Sequence, residues 1–246
     1  SSGVYQSQFG AQGSGDGQLS YPQGIAMDNT GNIYISDGED HRLQKFNSSG
    51  VYQSQFGHDI DNDQLYSPYG ITIDSNGDIL IVDTDNHQVN RFNSSGVYQS
   101  QFGSYGSGNG KFFDPSSAAT DGVGNIYVTD SLNNRVQKFN SSGVYQSQFG
   151  TGGSGNGQFH NPQDIAIDSD GNIYVADPQN HRVQKFNSSG VYQSQFGSYG
   201  SGNGQFSYPD GVAIDSMNNI YVVDPLNHRV QKFNSSGVYQ SQFGTY

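Results

Sequence analysis

The heptapeptide VYQSQFG begins at Val4, Val51, Val97, Val144, Val191 and Val238, so the 246-residue chain returns to the same segment every 46 or 47 residues. Between those copies lies one recurring unit, clearest in the fourth copy, residues 161–190. It reads as strands. Ile165–Ile167 follows a proline, which sits where no ladder N–H is needed. Ile173–Ala176 is a continuous apolar, β-branched and aromatic run, the pattern of a strand buried on both faces. Arg182–Phe186 and Val191–Phe196 alternate with polar residues, which suits the outer part of a sheet. Gly or Asn interrupts the unit too often for a helical apolar stripe to survive. A period in the forties with four strand signals predicts an all-β chain folded as a β-propeller, its four-stranded blades stacked radially around a channel.

The repeat units run approximately over 11–57, 58–103, 104–150, 151–197 and 198–244, in one domain spanning 1–246, with 1–10 as an extra outer strand. Five copies of the first three strands are present against six of the fourth. A closed five-bladed ring is expected, with Val4–Phe9 and Val238–Phe243 competing for the outer position of the last blade. The alternative is a six-bladed ring with one blade incomplete or completed by another molecule, and the spare VYQSQFG strand would then serve self-association. The turns agree with hairpins. Gly31, Gly77, Gly124 and Gly171 share one position and Asn218 replaces them in the fifth copy, which points to a left-handed turn residue.

Composition narrows the function classes. Ten Lys and Arg against 22 Asp and Glu leave a net charge of −12, and nine of the ten basic residues recur singly or in pairs in the third strand of each unit, spread around the molecule. Without a basic stripe, nucleic-acid binding is not expected. Cysteine is absent, so disulfides and thiolate chemistry are excluded. No apolar run approaches the ~18 residues of a membrane span, so no membrane insertion is expected. The chain opens in mid-repeat without a leader, as a mature product or a piece of a longer one would.

Three stretches carry a family resemblance: Pro-x-Gly-Ile-Ala, Gly-Asn-Ile-Tyr-Val-x-Asp and Asn-His-Arg-Val-Gln-Lys-Phe. Together they resemble the NHL repeat. The name's residues fall on Asn180, His181 and Val183, on Asn227, His228 and Val230, and on Asn86, His87 and Val89; Asn134 replaces His in the third copy and Asp40 replaces Asn in the first. The resemblance implies a propeller fold. Its functions are diverse, from RNA readers and sensor domains to a peptide-amidating lyase and secreted proteins.

Read for chemistry, the repeats favour structural roles. His41, His87, His181 and His228 are spread around the ring, too far apart to meet at one metal ion. Asp37, Asp83, Asp130, Asp177 and Asp224 face Arg42, Arg135, Arg182 and Arg229, with Gln88 in the second copy. Read as exposed ion pairs, these are worth about 0–1 kcal/mol each. The Gly-rich stretches, as in 103–112, lack the Lys and helix of a phosphate loop and are expected to be flexible connections. Asp59, Asp61 and Asp63 have the alternate spacing of a calcium loop but lack, among the positions that follow, its sixth-position Gly and twelfth-position Glu; no cofactor is expected, and calcium is the one that this spacing would suit. Asn47, Asn93, Asn140, Asn187 and Asn234 each open an Asn-Ser-Ser sequon, a glycan site in a secreted protein and good turn chemistry in any other.

Positions that vary among copies are free to specialise. Gln23, Tyr69, Ser116, Gln163 and Asp210 follow each proline and are expected to ring one mouth of the channel, beside the variable loops that follow each second strand. The expected function is a non-enzymatic extracellular binding or scaffold module for a protein or glycan. The alternatives are a structural subunit of a self-associating extracellular array and, less favoured, a metal-dependent lyase or lactonase-like hydrolase.

Overall fold

The computed structural model describes residues 3–57 and 64–244. Five antiparallel four-stranded sheets form the blades of an all-β propeller. Blade one comprises Pro22–Met27, Ile33–Asp37, Arg42–Phe46 and Tyr52–Phe56; blade two Pro68–Ile73, Ile79–Asp83, Gln88–Phe92 and Tyr98–Phe102. Blade three comprises Pro115–Thr120, Ile126–Asp130, Arg135–Phe139 and Tyr145–Phe149; blade four Ile165–Ile167, Ile173–Asp177, Arg182–Phe186 and Tyr192–Phe196. Blade five holds Gly211–Ile214, Ile220–Asp224, Arg229–Phe233 and Tyr239–Phe243. Within each blade the strands pair in chain order.

Burial follows the position of each strand. The second strands of blades two, three and four are buried along their whole length, because a neighbouring blade covers each face. The fourth strands lie at the rim and are mostly exposed. An Asp at the start of each first hairpin accepts backbone N–H bonds from the residues two and four further on, as Asp121 does from Val123 and Asn125. The turn residue that follows is left-handed, with φ of 81–87° at Gly31, Gly77, Gly124 and Gly171 and 59° at Asn218. Asn substitutes there because its short polar side chain tolerates that region.

Blades are joined by shared apolar cores. Tyr34 and Leu43 of blade one pack with Ile71, Ile79 and Phe92 of blade two. Equivalent clusters join blades two and three, three and four, and four and five. At the rim the last Phe of one blade lies against the next: Phe56 on Phe92, Phe102 on Phe139, Phe149 on Phe186 and Phe196 on Phe233, centroids 4.7–5.2 Å apart. The same Phe covers the glycine of the next NSSG turn so closely that a Cβ on Gly143 would stand 2.6 Å from Phe102.

Closure differs from the expected ring. Tyr239–Phe243 fills the outer position of blade five, paired with Arg229–Phe233. Residues 3–10 enter no sheet. They occupy the rim just before blade one: Phe9 stacks on Phe46 at 5.0 Å, and Gly3 lies under Phe243 as Gly96 lies under Phe56. The N-terminal copy therefore stands one blade beyond blade five and one before blade one. Inside that rim, among the described residues, no core cluster joins blades five and one. Ile25 is 67% exposed, whereas Ile71, Ile165 and Val212 at the same position are at most 9% exposed. Val223 is 41% exposed against 0% for Val82, Thr129 and Ala176. Among the described residues, five blades form an arc with a seam between blade five and blade one, where Ile25 and Val223 line one cleft.

Candidate functional site

The variable face is held in place by a buried polar hub in each blade. Asp130 Oδ1 accepts the Phe113 N–H at 2.7 Å, and its Oδ2 accepts Arg135 Nε at 2.7 Å and Gln137 Nε2 at 3.0 Å. Arg135 then donates to the carbonyls of Gly108 and Lys111. The same bonds recur around Asp37, Asp177 and Asp224. These ion pairs are buried, not exposed: the four Asp side chains are fully covered and the four Arg side chains are 5–8% exposed. The Gly-rich connections are correspondingly not loose tethers. Arg and Gln side chains clamp their backbone, with Gln137 Oε1 accepting the Gly110 N–H at 2.9 Å.

In blade two the guanidinium is missing. Gln88, Asn86 and Asn90 donate to Asp83 instead. Burial pushes the Asp83 carboxyl above the ordinary carboxylate range, although these three side chains and the Tyr66 N–H pull against it.

Three of the recurrent histidines, His41, His87 and His181, link neighbouring blades. Nδ1 of His41 accepts the Ser67 N–H at 3.0 Å, and His87 and His181 accept those of Asp114 and Tyr208 at 3.3 Å. In the third copy Asn134 Oδ1 accepts the Asn161 N–H at 2.9 Å. All four acceptor residues are left-handed, with φ of 52–54°. His and Asn exchange here because each offers an acceptor on a residue that tolerates positive φ.

The mouth residues divide into two groups. Gln23 and Tyr69 line a pocket of about 300 Å³ together with Gly38 and Glu39, so the residue after the proline and the loop after the second strand share one face. Gln23, Tyr69 and Asp210 also line a larger cleft of about 570 Å³ at the channel and seam. Ser116 is buried and bonded to Thr129, Ser131 and the Gln163 carbonyl. It faces no ligand. Gln163 is half-buried, and its main chain serves that network.

Two residues at the mouth escaped the sequence reading. Asp164 stands where the Pro-x-Gly pattern has Gly, and Ser117 is its counterpart in blade three. Asp164 accepts Ser117 Oγ at 2.6 Å and the N–H groups of Ile165 and Val212 at 2.8 and 2.7 Å. Burial raises its carboxyl above the usual range against those three bonds, with the nearby Asp210 charge adding to the rise. Burial also raises Asp210, opposed by a hydrogen bond from Tyr69, whose own hydroxyl is pushed up first by burial and then by the two carboxylates. The departure from Gly was visible in the sequence, but its meaning required knowing that this position faces the channel.

Among the described residues no three His, Asp or Glu side chains converge as metal ligands. Asp59, Asp61 and Asp63 lie outside the described residues. At the sequon positions Asn Oδ1 is engaged in the turn, as Asn140 is with the N–H groups of Ser142 and Val144.

The NHL repeat model matches residues 19–46, 65–92, 159–186 and 206–233, each carrying one of the hub carboxylates Asp37, Asp83, Asp177 and Asp224. The chain is an NHL-repeat β-propeller. Its sequence is 35% identical to protein brain tumor of Drosophila melanogaster over 54 residues, 22% of this chain and 5% of that protein. Among solved structures, a streptogramin B lyase aligns over 98% of this chain and 73% of its own with a TM-score of 0.71 and 14% identity. A gluconolactonase from Xanthomonas campestris aligns over 94% and 78%, at 0.71 and 16%. A chain of the nidogen/laminin complex aligns over 93% and 81%, at 0.71 and 18%. These likenesses concern the fold. In the NHL repeat's own terms, Asn180 and Asn227 donate to the hub carboxylate, His181 accepts from the next blade, and Val183 and Val230 sit at the apolar junction position.

Proposed function

We propose that this propeller is a non-enzymatic extracellular binding or scaffold module whose recognition face surrounds the channel mouth. The cleft lined by Tyr69, Asp164 and Asp210 carries the reading, because it gathers the residues that depart from the repeat into one hollow. Two carboxylates and a phenol favour a protein or glycan group that donates hydrogen bonds or carries positive charge. The net charge of −12 supports that preference and disfavours nucleic acid. Five sequon turns support an extracellular setting.

Two assays test this. Gluconolactone and a streptogramin B should be consumed no faster with the purified chain than with buffer, in Mg²⁺ or Ca²⁺; turnover would return the lyase or lactonase reading. On an array of secreted proteins and extracellular glycans, a specific signal should fall on Tyr69→Ala and Asp210→Ala. Signals unchanged by both would place recognition elsewhere.

A further inference from the structure

Blade one is smaller than its repeats at one point of the mouth. Gly38 stands where the other blades carry Thr84, Ser131, Pro178 and Pro225. It lies outside the left-handed region, so the backbone does not require glycine there. A Cβ on Gly38 would stand 3.1 Å from the Tyr21 carbonyl oxygen, 3.5 Å from Cγ of Gln23 and 3.9 Å from the Pro68 carbonyl oxygen. Between blades three and four a side chain fills this place, where Ser131 donates its hydroxyl to the Pro162 carbonyl at 2.6 Å. Pro162 is the counterpart of Pro68. Between blades one and two the same space is left as the pocket of about 300 Å³.

The walls of this pocket are amphipathic. Tyr21 and Tyr69 supply aromatic rings. Tyr21 is held at φ 61°, in the left-handed region where a bulky side chain is uncommon, and the short residues Ser67, Asp114 and Asn161 hold the same position in three other copies. Tyr208, in the fourth, packs on His181 of the preceding blade. Glu39 is exposed, and Ser20 Oγ donates to its Oε2 at 2.6 Å, which fixes the carboxylate at the wall. His41 Nδ1 accepts the Ser67 N–H, so the neutral ring carries its proton on Nε2 and offers a donor. Gln23 adds an amide that both donates and accepts. Donors, acceptors and aromatic faces thus enclose a space at the small end of the roughly 300–1,000 Å³ of ligand sites.

We propose that this pocket binds a single neutral sugar residue of a glycan. A pyranose has a C–H face and a rim of hydroxyls, each of which can donate and accept. Its C–H face lies on the tyrosine rings. One hydroxyl takes the place of the Ser131 hydroxyl and donates to the Pro68 carbonyl, a second donates to Glu39, and others accept from His41 Nε2 and Gln23. A lysine or arginine side chain would match Glu39 but would leave the His41 N–H facing a cation. The proposal rests on the reading of the mouth as a recognition face and sharpens it. It uses a hollow other than the cleft of Asp164 and Asp210, with only Gln23 and Tyr69 reaching both. Both blades that build the pocket have all four strands.

The test titrates the full chain with glucose, galactose, mannose, N-acetylglucosamine and N-acetylgalactosamine, and with Nα-acetyl-lysine methylamide, by saturation-transfer NMR. At least one sugar should bind saturably, with a Kd on the order of 1 mM and the strongest transfer to the protons of one ring face. Gly38→Thr restores the residue of blade two and should weaken that binding by about tenfold or more. Glu39→Leu, the residue of blades three and five at this position, should weaken it by a similar factor. Both residues are accepted elsewhere in the chain, so melting temperatures should stay near the parent's; if Gly38→Thr melts early, Glu39→Leu decides. Asp210→Ala should bind the sugar as the parent does. No saturable binding by any of these sugars would overturn the proposal, as would sugar binding that survives both pocket substitutions. Binding of the lysine derivative alone would also overturn it, in favour of a cationic side chain. An array signal lost on Asp210→Ala but kept on Gly38→Thr and Glu39→Leu would overturn it while leaving recognition at the mouth intact.

Discussion

His181 and Asn134 do the same work with different side chains. Each is a left-handed residue that accepts the backbone N–H of the residue before the next blade's proline. Replacing His181 with Asn should therefore leave stability nearly unchanged in urea denaturation, whereas Ala should cost about 1 kcal/mol through the lost acceptor. Equal losses for both would mean that ring packing against Tyr199, not hydrogen bonding, fixes the position. Gln88 offers a second residue-scale test. The raised Asp83 carboxyl favours folding fully below its unfolded value, and that contribution is lost as pH rises through its folded value, so the ionised group opposes folding near neutrality. Gln88→Arg supplies the guanidinium of the other blades and should stabilise the chain by about 1–2 kcal/mol at pH 7. The gain should shrink as pH falls and Asp83 protonates; a gain independent of pH would locate the benefit away from the Asp83 charge.

At the scale of elements, strand positions could be read from the repeats because each copy restates the same period-two pattern. Ile165–Ile167 and Arg182–Phe186 are strands with the expected limits. The connections could not be read in the same way. Gly-rich segments look mobile in sequence, yet Arg135 and Gln137 reach across 24–27 residues to hold residues 108–111, and nothing local announces such reach. The hub Asp was likewise seen as one half of a surface pair, because burial by the next blade is a tertiary fact. Glycines also divide by setting. Gly190 has φ of 76° and lies under Phe149, so Gly190→Ala should cost about 1–2 kcal/mol or more. Gly122, with open space around it, should accept Ala at almost no cost. Thermal melts of the two variants separate these outcomes, and similar melting temperatures would contradict the close rim contact.

For the whole molecule the number of blades followed from counting copies, but closure did not. Two identical outer strands invited a contest for one place, and the sequence contained nothing to rank them. Geometry ranks them: each repeat keeps its own fourth strand, so Tyr239–Phe243 is paired and the N-terminal copy stands one blade position away. The channel-mouth set was likewise only half visible, because Ser116 turns inward while Asp164, one residue past the expected position, reaches the cleft. The arc with its open seam is the central claim, and amide hydrogen exchange tests it directly. Peptic segments that carry Ala11 or Thr245 distinguish the two terminal copies of VYQSQFG. Residues 239–243 should be protected to the same degree as 192–196, while residues 4–9 of the isolated chain should exchange as unpaired backbone. Equal protection of both copies, or protection of residues 4–9 with rapid exchange at 239–243, would contradict the account.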